Sequence, residues 1–385
     1  MTGDRGHDVI VVGLGAMGSS TLYHLASRGL RVIGVDRYAP PHTHGSTHGR
    51  TRIIREAYYE HPCYVPIVQR AYQLWSALER ESGRSLFIQT GGLMIGPPTG
   101  TLFAGALRSA TEHGLAHAVL TPAQVHARFP GFRVPEGSMG LLEPRAGLLL
   151  PELCVETQLE LAARAGAAVR TGVTVTHWDA GAGGVRVSTD AGEISARTLV
   201  LAAGPWLPML VPDLDLPLEV ERQLFHWFEP SAHPEWYDAA HSPISLIEYG
   251  DDRVFATFPD IGHGVKSGVH HEGEVIDPDA PRTPASDAEG REMRELLARY
   301  LPEAAGRILD RATCVYTNTP DHDFLIDRHP SHANVILASP CSGHGFKFAS
   351  AVGEIVADLA TNGESGFDLR PFSLARFQPM SRQEG

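Results

Sequence analysis

The chain has 385 residues, 43% of them hydrophobic, four cysteines without a CxxC pair and a formal net charge of −13 at pH 7. Its length and apolar content allow one large or two medium domains, and its negative charge argues against broad electrostatic attraction to nucleic acid. It has no run of about 18 apolar residues, no signal-peptide layout and no paired cysteines, so we expect a soluble cytoplasmic protein without a membrane span, a metal site or a disulfide framework.

The first predicted elements form a strand, a turn, a helix and a second strand. The run Asp8–Val12 is rich in β-branched residues, as a strand buried on both faces should be. It leads into GLGAMG, where Gly13, Gly15 and Gly18 have GxGxxG spacing, and then into the helical pattern SSTLYHLASRG. The second strand, LRVIGVD, ends in Asp36, close to the interval of about 20 residues expected after such glycines.

This βαβ unit predicts a dinucleotide-binding site. The first glycine permits a tight turn, the second lets the backbone approach a pyrophosphate, and the third lets helix and strand pack closely. The helix N-terminus favours the negative charge, and Asp36 would accept hydrogen bonds from the adenosine ribose. The motif alone does not distinguish NAD from FAD, and the alternative is a glycine-rich turn in another α/β fold.

The remaining elements also follow chain order. The segment PPHTHGSTHGRTRIIREAYYEHPCY makes a poor strand but a good polar lining for a cofactor. Helices are predicted over 64–81 and 152–166, a strand in VRTGVTV, and a hairpin from VRVSTD and EISARTLVLAAG. Residues of about 221–317 are predicted to be strands joined by polar loops. NVILASP then predicts a buried strand, SGHGFKF a glycine-rich turn, and ASAVGEIVADLATNG a helix that stops at glycine.

Two glycine-bearing strand-to-helix turns therefore bracket the chain. An NAD dehydrogenase would continue directly with alternating strands and helices, so this arrangement favours FAD. We expect an α/β, two-domain fold. A discontinuous Rossmann-like FAD-binding domain would comprise 6–90, 150–220 and 318–375. A β-rich substrate domain would comprise 91–149 and 221–317.

Four segments carry a family resemblance: GLGAMG, HGSTHGRTRIIR, CVYTNTPDHDFLID and SGHGFKF. Together, and in this order, they resemble the monomeric sarcosine oxidase and N-methyltryptophan oxidase family of FAD amine oxidases, which is related to D-amino-acid oxidase. The resemblance runs from about Asp8 to Asn362. It implies bound FAD, a small N-methyl amino acid as substrate, molecular oxygen as electron acceptor and a monomeric enzyme.

The resemblance also implies a covalent cofactor. Cys314, with x-Tyr-Thr after it, matches the cysteine that carries FAD through a thioether at the flavin 8α carbon, whereas Cys63, Cys154 and Cys341 are expected to be free thiols. The residues expected at the cofactor are Gly13, Gly15, Gly18, Asp36, Ser46, His48, Thr51, Arg52, Val173, Gly204, Cys314, Gly343, Gly345 and Lys347.

Five residues match the family's active-site groups. Arg55 and Lys347 match two cations that hold the substrate carboxylate, which suits a small amino acid that must be oriented by charge-assisted bonds. Arg52 matches an arginine near the flavin ring, and Lys266 matches the lysine where oxygen is activated. His270 matches a substrate-contacting histidine, and four residues along a strand place it on the same side as Lys266. The alternatives are a surface ion pair for Arg55, a helix-start cation for Lys347 and a polar strand residue for His270.

Two positions depart from the family pattern. Ala256 stands where sarcosine oxidase has a tyrosine, and Leu246 stands where a methionine lies near the substrate. A smaller side chain at Ala256 would open the pocket. The sequence therefore leaves open a bulkier N-methyl or a cyclic amino acid, of the N-methyltryptophan or pipecolate type. It also leaves open a flavin dehydrogenase that passes electrons to a carrier protein, which Lys266 argues against, and a non-catalytic dinucleotide sensor.

Overall fold

The computed structural model describes residues 6–250 and 252–377. Its α-helices are α1 Ala16–Ser27, α2 Val65–Ser82, α3 Thr101–Glu112, α4 Pro122–Arg128, α5 Pro151–Arg164, α6 Leu207–Leu210, α7 Asp287–Tyr300 and α8 Ala349–Asn362. Its strands are β1 His7–Val12, β2 Val32–Asp36, β3 Arg52–Ile54, β4 Phe87–Gln89, β5 Gly92–Gly96, β6 Ala118–Leu120, β7 Met139–Glu143, β8 Gly147–Leu149, β9 Ala168–Thr171, β10 Val175–Gly181, β11 Gly184–Thr189, β12 Gly192–Leu201, β13 Glu219–Phe228, β14 Ile244–Glu248, β15 Val254–Phe258, β16 Val265–His270, β17 Ile308–Asn318, β18 Leu325–His329 and β19 His332–Ser339.

The chain divides into two compact units. The first comprises the described residues up to His48, then Pro151–Val220, and the described residues from Val315 onward. The second comprises Gly49–Leu150 and Glu221–Cys314.

The first unit is built on a mixed sheet. Strand β1 pairs in parallel with β2 and β12, β2 with β9, and β12 with β19. Strands β10, β11 and β12 add antiparallel hairpins, and α1 packs against both α5 and α8. Ile10, Ile33, Leu199 and Leu337 have no exposed surface, since these strands are covered on both faces. The predicted α/β fold is confirmed.

The second unit carries an eight-stranded sheet in the order β17-β13-β16-β15-β14-β5-β7-β6 and a small sheet in the order β3-β8-β4. Helix α7 buries Leu297 against the large sheet, in a core that also contains Leu93, Phe228 and Phe255. The opposite face of the large sheet carries Lys266 on β16. This unit is therefore rich in strands, as the sequence predicts for the substrate domain.

Helix α7 lies where the sequence was expected to form strands and loops. Its sequence, DAEGREMRELLARY, is so polar that only Met293, Leu297 and their neighbours on one face are buried. Ser286 and Glu289 form a capping box that fixes its start. The expectation was wrong here because the apolar stripe is thin, although the capping signal is present in the sequence.

Two further boundaries differ from expectation. The expected strand VRTGVTV is interrupted at Gly172, where φ is +69°, so β9 pairs with β2 and β10 begins a separate hairpin. Residues 49–90, expected in the FAD domain, fall in the second compact unit because β3 and β4 both pair with β8. Within 6–250 and 252–377, no helix combines the length and apolar character needed to cross a bilayer.

Candidate active site

The glycine-rich turn after β1 has the geometry of a phosphate-binding loop. Gly13 has φ of +85°, and a Cβ there would lie 2.5 Å from the Ala202 carbonyl oxygen. A Cβ on Gly18 would lie 1.7 Å from the Gly13 carbonyl oxygen, so neither position accepts a side chain. Gly15, by contrast, faces open space, since a Cβ there would meet only the Thr47 hydroxyl, at 3.7 Å. The backbone is accessible at the second glycine and tightly packed at the other two. This geometry fits a pyrophosphate at the start of α1.

Asp36 is the acid expected at the ribose. It ends β2 and is 7% exposed. Its Oδ2 accepts a hydrogen bond from the Leu14 amide at 2.7 Å, and its Oδ1 accepts one from the Tyr38 amide at 2.7 Å. Each carboxylate oxygen has two acceptor sites, so both retain capacity for a ribose hydroxyl. The fixed carboxylate beside the glycine turn fits an adenosine ribose.

Other predicted cofactor residues follow parallel strands of the same sheet. Gly13 follows β1, Asp36 ends β2, and Val173 follows β9 and donates its amide to the Asp36 carbonyl oxygen at 3.0 Å. Gly204 follows β12, and Gly343 follows β19. Because the carboxyl ends of parallel strands lie at one edge of a sheet, these five residues share the edge where open α/β sheets bind ligands.

The turn after β19 supplies a second indication of a ligand. The Thr317 hydroxyl is buried and has no hydrogen-bond partner among the described residues, although the Thr317 carbonyl oxygen accepts from the Ser342 amide at 2.9 Å. Gly345 opens a short 3₁₀ helix, in which the buried Lys347 donates from Nζ to the His344 carbonyl oxygen at 2.8 Å. A buried orphan hydroxyl beside a glycine turn fits a polar group supplied from outside the chain. The remaining predicted residues of this unit, Ser46 and His48, lie in the loop that follows β2.

Lys266 occupies an aromatic, water-poor position in the second unit. It is 1% exposed, and its Nζ donates to the Gly49 and Thr51 carbonyl oxygens at 2.8 and 2.9 Å. The same nitrogen lies 4.0 Å from the ring centroid of Phe225 and 4.4 Å from that of Phe258. Carbonyl oxygens and ring faces both favour a cation. The positive charge is thus fixed on one face of the large sheet.

Cys314 lies next to a second cation of this unit. It is fully buried, and Arg52 donates from Nη2 to its Sγ at 3.6 Å. The Arg52 guanidinium carbon is 5.0 Å from the Phe225 ring centroid, and Cys314 packs against Phe225 and Trp227. None of the four cysteines, all of which lie in the described part of the chain, forms a disulfide bond. The structure therefore groups the predicted residues Arg52, Lys266 and Cys314 around the ring of Phe225, and the Thr51 carbonyl oxygen accepts hydrogen bonds from both Arg52 and Lys266.

Arg55 holds a carboxylate from its own segment. It directly follows β3, is 2% exposed, and donates from Nη2 to the two Glu60 carboxylate oxygens at 2.8 and 2.6 Å. Its Nη1 donates to the Ala57 carbonyl oxygen at 2.9 Å, and its guanidinium carbon is 4.3 Å from the Tyr58 ring centroid. Burial lowers the pKa of Arg55, but Glu60, Tyr58 and Tyr59 together outweigh burial, and the pKa is raised. Sequence reasoning missed Glu60, which stands where an external carboxylate could bind.

A buried carboxylate behind Arg55 was also missed. Glu143, at the end of β7, accepts hydrogen bonds from the Glu56 and Ala57 amides at 2.7 and 2.8 Å. Burial raises the pKa of Glu143 to about 7, against the two amide hydrogen bonds that lower it. Nothing local in the sequence signals this contact, since 87 residues separate Glu143 from Glu56.

The two positions that depart from the family pattern lie side by side. Ala256 on β15 is directly opposite Leu246 on β14 and Gly268 on β16. Phe258, two residues from Ala256, is opposite Lys266, so all of these residues share the face that carries the lysine. Half-buried His270 ends β16 on that face as well. Ala256 is a small, half-buried side chain on this face. A Cβ on Gly268 would lie 2.5 Å from the Leu224 carbonyl oxygen and 3.2 Å from the Phe225 ring, so the space beside Gly268 is already occupied.

Metal chemistry has no support in the described part of the chain. No group of three or more histidine, cysteine, aspartate or glutamate side chains is arranged there to hold a metal ion. The chemistry-bearing groups are instead cations, a thiol and a glycine-rich cradle.

Comparisons with known proteins agree with this geometry. The family model for FAD dependent oxidoreductases of the DAO type matches residues 8–359. Monomeric sarcosine oxidase from Streptomyces avermitilis is 39% identical over 374 residues, which cover 96% of this chain and 97% of the relative. N-methyl-L-tryptophan oxidase from Yersinia pestis is 37% identical and is covered over 100% of its length by 97% of this chain.

Solved structures extend the likeness to the fold. NikD, described as an unusual amino acid oxidase essential for nikkomycin biosynthesis, superposes with a TM-score of 0.84 at 25% identity, over 96% of this chain and 97% of that one. The glycine cradle, the acid at the end of β2 and the near-complete match of the family model lead to one conclusion. The chain belongs to the family of FAD-dependent oxidoreductases.

Proposed function

We propose that the enzyme oxidatively demethylates N-methyl amino acids of the sarcosine type. The amine, oxygen and water would give the demethylated amino acid, formaldehyde and hydrogen peroxide. The observation that carries this proposal is the buried Lys266 ammonium, on the sheet face it shares with Ala256, Leu246 and His270, in a chain similar to sarcosine and N-methyltryptophan oxidases. The first compact unit would bind FAD, and the second would supply the substrate face.

Bound FAD would supply the two-electron oxidation of the amine and the delivery of those electrons to oxygen. Gly13, Gly15, Gly18 and Asp36 would hold its pyrophosphate and ribose, and the turn that contains Gly343 would hold its other end. Cys314 would anchor it covalently. The support for Cys314 is its burial, its x-Tyr-Thr context and the adjacent Arg52 guanidinium at 3.6 Å from Sγ.

The substrate carboxylate would bind Arg55 in place of Glu60. The Arg55 guanidinium already makes a bidentate contact with a carboxylate, which is the geometry that a planar fork offers to an amino acid. Exchange of one carboxylate for another keeps the buried guanidinium paired at every stage, which avoids the cost of an unpaired buried charge. We assign a role in carboxylate binding to the buried Lys347 as well, on the strength of the family resemblance.

Lys266 and His270 would serve different stages of the reaction. The Lys266 ammonium is fixed among carbonyl oxygens and ring faces, so it can stabilise negative charge that develops on oxygen without reorganising. Low polarity around it strengthens that attraction. His270 lies four residues after Lys266 on β16, on the same face, and would contact the substrate. This fixed cation favours oxygen as acceptor over a carrier protein.

The small side chain at Ala256 supports a second candidate substrate class. A bulkier N-methyl or cyclic amino acid, of the N-methyltryptophan or pipecolate type, would fill the space that a larger side chain at position 256 would occupy. A peroxide-coupled panel of sarcosine, N-methyltryptophan, pipecolate and proline tests the choice. Peroxide formation with N-methyl amino acids supports the proposal, and its absence with all of them refutes it. We further propose that the enzyme is cytoplasmic and that it is a monomer. Sedimentation of the holoenzyme tests the monomeric state.

A further inference from the structure

The segment Arg55–Glu60, called the Arg55 segment, is fixed on two sides. On one side, Glu143 receives the Glu56 amide on Oε1 at 2.7 Å and the Ala57 amide on Oε2 at 2.8 Å. On the other side, the Ser109 hydroxyl of α3 donates to the Tyr58 carbonyl oxygen. The backbone that follows Arg55 therefore cannot move without breaking a buried hydrogen bond.

The Glu143 clamp bears directly on the direction of the Arg55 side chain. Arg55 folds back over the same turn, because its Nη1 donates to the carbonyl oxygen of Ala57, whose amide Glu143 holds. The amide that Glu143 holds and the carbonyl that orients the guanidinium belong to consecutive peptide units joined at the Ala57 Cα. Releasing the amide would let the backbone turn about that atom, which would displace the carbonyl acceptor. Glu143 contacts the Arg55 segment through these two backbone amides, so its influence on a bound carboxylate would pass through Arg55.

The ionised form of Glu143 makes both contacts more strongly than the neutral form. A carboxylate accepts well at both oxygens, whereas protonation makes one oxygen a weaker acceptor and adds an O–H donor that needs its own partner. The two backbone amides thus stabilise the charged form, and burial opposes it. Burial dominates and raises the pKa of Glu143 to about 7.

The charged and titratable groups around Glu143 come from three elements. Glu56 and Arg55 face it from the Arg55 segment, and Tyr72 faces it from α2. Arg145, just after β7, pairs with the buried Glu56 carboxylate at 3.1 Å. Glu56 raises the pKa of Glu143 and Arg55 lowers it, so these two neighbours oppose each other.

We propose that Glu143 is the positioning residue that holds Arg55 in the orientation that binds the substrate carboxylate. The proposal rests on the carboxylate-binding role of Arg55 in the proposed function. Ionised Glu143 keeps the Arg55 segment closed and the affinity high. Neutral Glu143 weakens its hydrogen bond with the Glu56 or the Ala57 amide. The affinity for any carboxylate ligand then falls, while the oxidation of bound substrate continues.

The test compares Glu143→Gln with Glu248→Gln in the holoenzyme. Glu248 is a matched control, because it is also a buried glutamate of the second unit that accepts a backbone amide, from Leu102 at 2.9 Å, and burial raises its pKa too. Its contact is with the first turn of α3, about two helical turns from Ser109, so it reaches the Arg55 segment only through the length of that helix. Steady-state kinetics would be measured from pH 6 to pH 9 by oxygen uptake. Binding of propionate, a simple carboxylate, would be followed through flavin absorbance.

Loss of one charge-assisted contact in Glu143→Gln should raise KM and the propionate Kd about tenfold at pH 8, with kcat changed less than about twofold. In the wild type, both constants should rise as the pH falls through about 7, the pKa of Glu143, and this rise should be absent in Glu143→Gln. Glu143→Asp, which keeps the charge, should retain the pH dependence. Glu248→Gln should leave KM and its pH profile as in the wild type.

Three results would overturn the inference. One is an unchanged propionate Kd in Glu143→Gln, and another is the wild-type pH profile in that variant. The third is an equal rise of KM in Glu248→Gln, which would show only general loosening. If Glu143→Gln is too unstable to purify, Glu143→Asp decides by its pH profile. Because propionate binding needs no turnover, a wrong substrate class would appear in the substrate panel and leave the Glu143 result readable.

Discussion

Replacing Glu60 by Gln should increase the affinity of the enzyme for its amino acid substrate. Glu60 occupies the Arg55 guanidinium through contacts of 2.8 and 2.6 Å, so a substrate carboxylate has to displace it. A charge-assisted contact of this kind contributes about 1.5–3 kcal/mol to stability. The Glu60 side chain is 18% exposed, so the displaced carboxylate regains hydration and the net cost of displacement lies at the lower end. About 1.4 kcal/mol corresponds to a tenfold decrease in KM.

The assay is steady-state oxidation of an N-methyl amino acid at saturating oxygen, together with propionate binding. Glu289→Gln is the matched control, because Glu289 pairs with the buried Arg222 at 2.7 Å in the same unit but on α7. Both variants should lower the melting temperature, since each leaves a buried guanidinium with a neutral partner. Only Glu60→Gln should lower KM and the propionate Kd. A raised or unchanged KM in Glu60→Gln would refute the view that Glu60 competes with substrate at Arg55.

Three further predictions concern the cofactor, oxygen and substrate choice. FAD should stay attached to the wild type after acid precipitation, Cys314→Ala should release it and Cys341→Ala should not; acid-labile flavin in the wild type would remove the covalent assignment. Lys266→Met should slow the reoxidation of reduced flavin by oxygen far more than the anaerobic reduction of flavin by substrate, as measured by stopped-flow absorbance. Equal slowing of both half-reactions would refute a role of Lys266 at the oxygen site. Lys347→Ala should weaken the binding of sarcosine and of larger N-methyl amino acids by similar factors, about thirtyfold for a loss of about 2 kcal/mol. Ala256→Tyr should instead lower kcat/KM selectively for the larger substrates. The reverse pattern would contradict both roles.

The cofactor cradle could be predicted because its information is local. The strand, the glycines, α1 and Asp36 lie within 30 residues, and the structure bears out a steric reason for Gly13 and for Gly18. Strand periodicity likewise predicted that Lys266 and His270 share a face. In both cases residues that are close in sequence are also close in space, so the spacing of the residues along the chain is enough to predict their arrangement.

The groups that control Arg55 could not be predicted. Glu143 reaches the Arg55 segment from β7, and the contact depends on how β5 pairs with β7 and β14, which no local pattern encodes. Glu60 is only five residues from Arg55, but its pairing requires a turn held by Glu143. The position of Leu246 opposite Ala256 depends on strand register in the same way. Helix α7 was not predicted for a different reason: its sequence is mostly polar, and the apolar residues that it buries form only a narrow stripe.

The central claim is that the N-methyl carbon is the one oxidised, with oxygen as the acceptor. The direct test is turnover of sarcosine labelled with ¹³C in the methyl group by the purified holoenzyme, with oxygen uptake, peroxide and labelled products measured together. We expect labelled formaldehyde, unlabelled glycine and hydrogen peroxide, each formed in an amount equal to the oxygen consumed. Labelled methylamine with glyoxylate would show oxidation at the other carbon, and substrate oxidation without peroxide would show a different electron acceptor; either result would overturn the proposed demethylation with oxygen as acceptor.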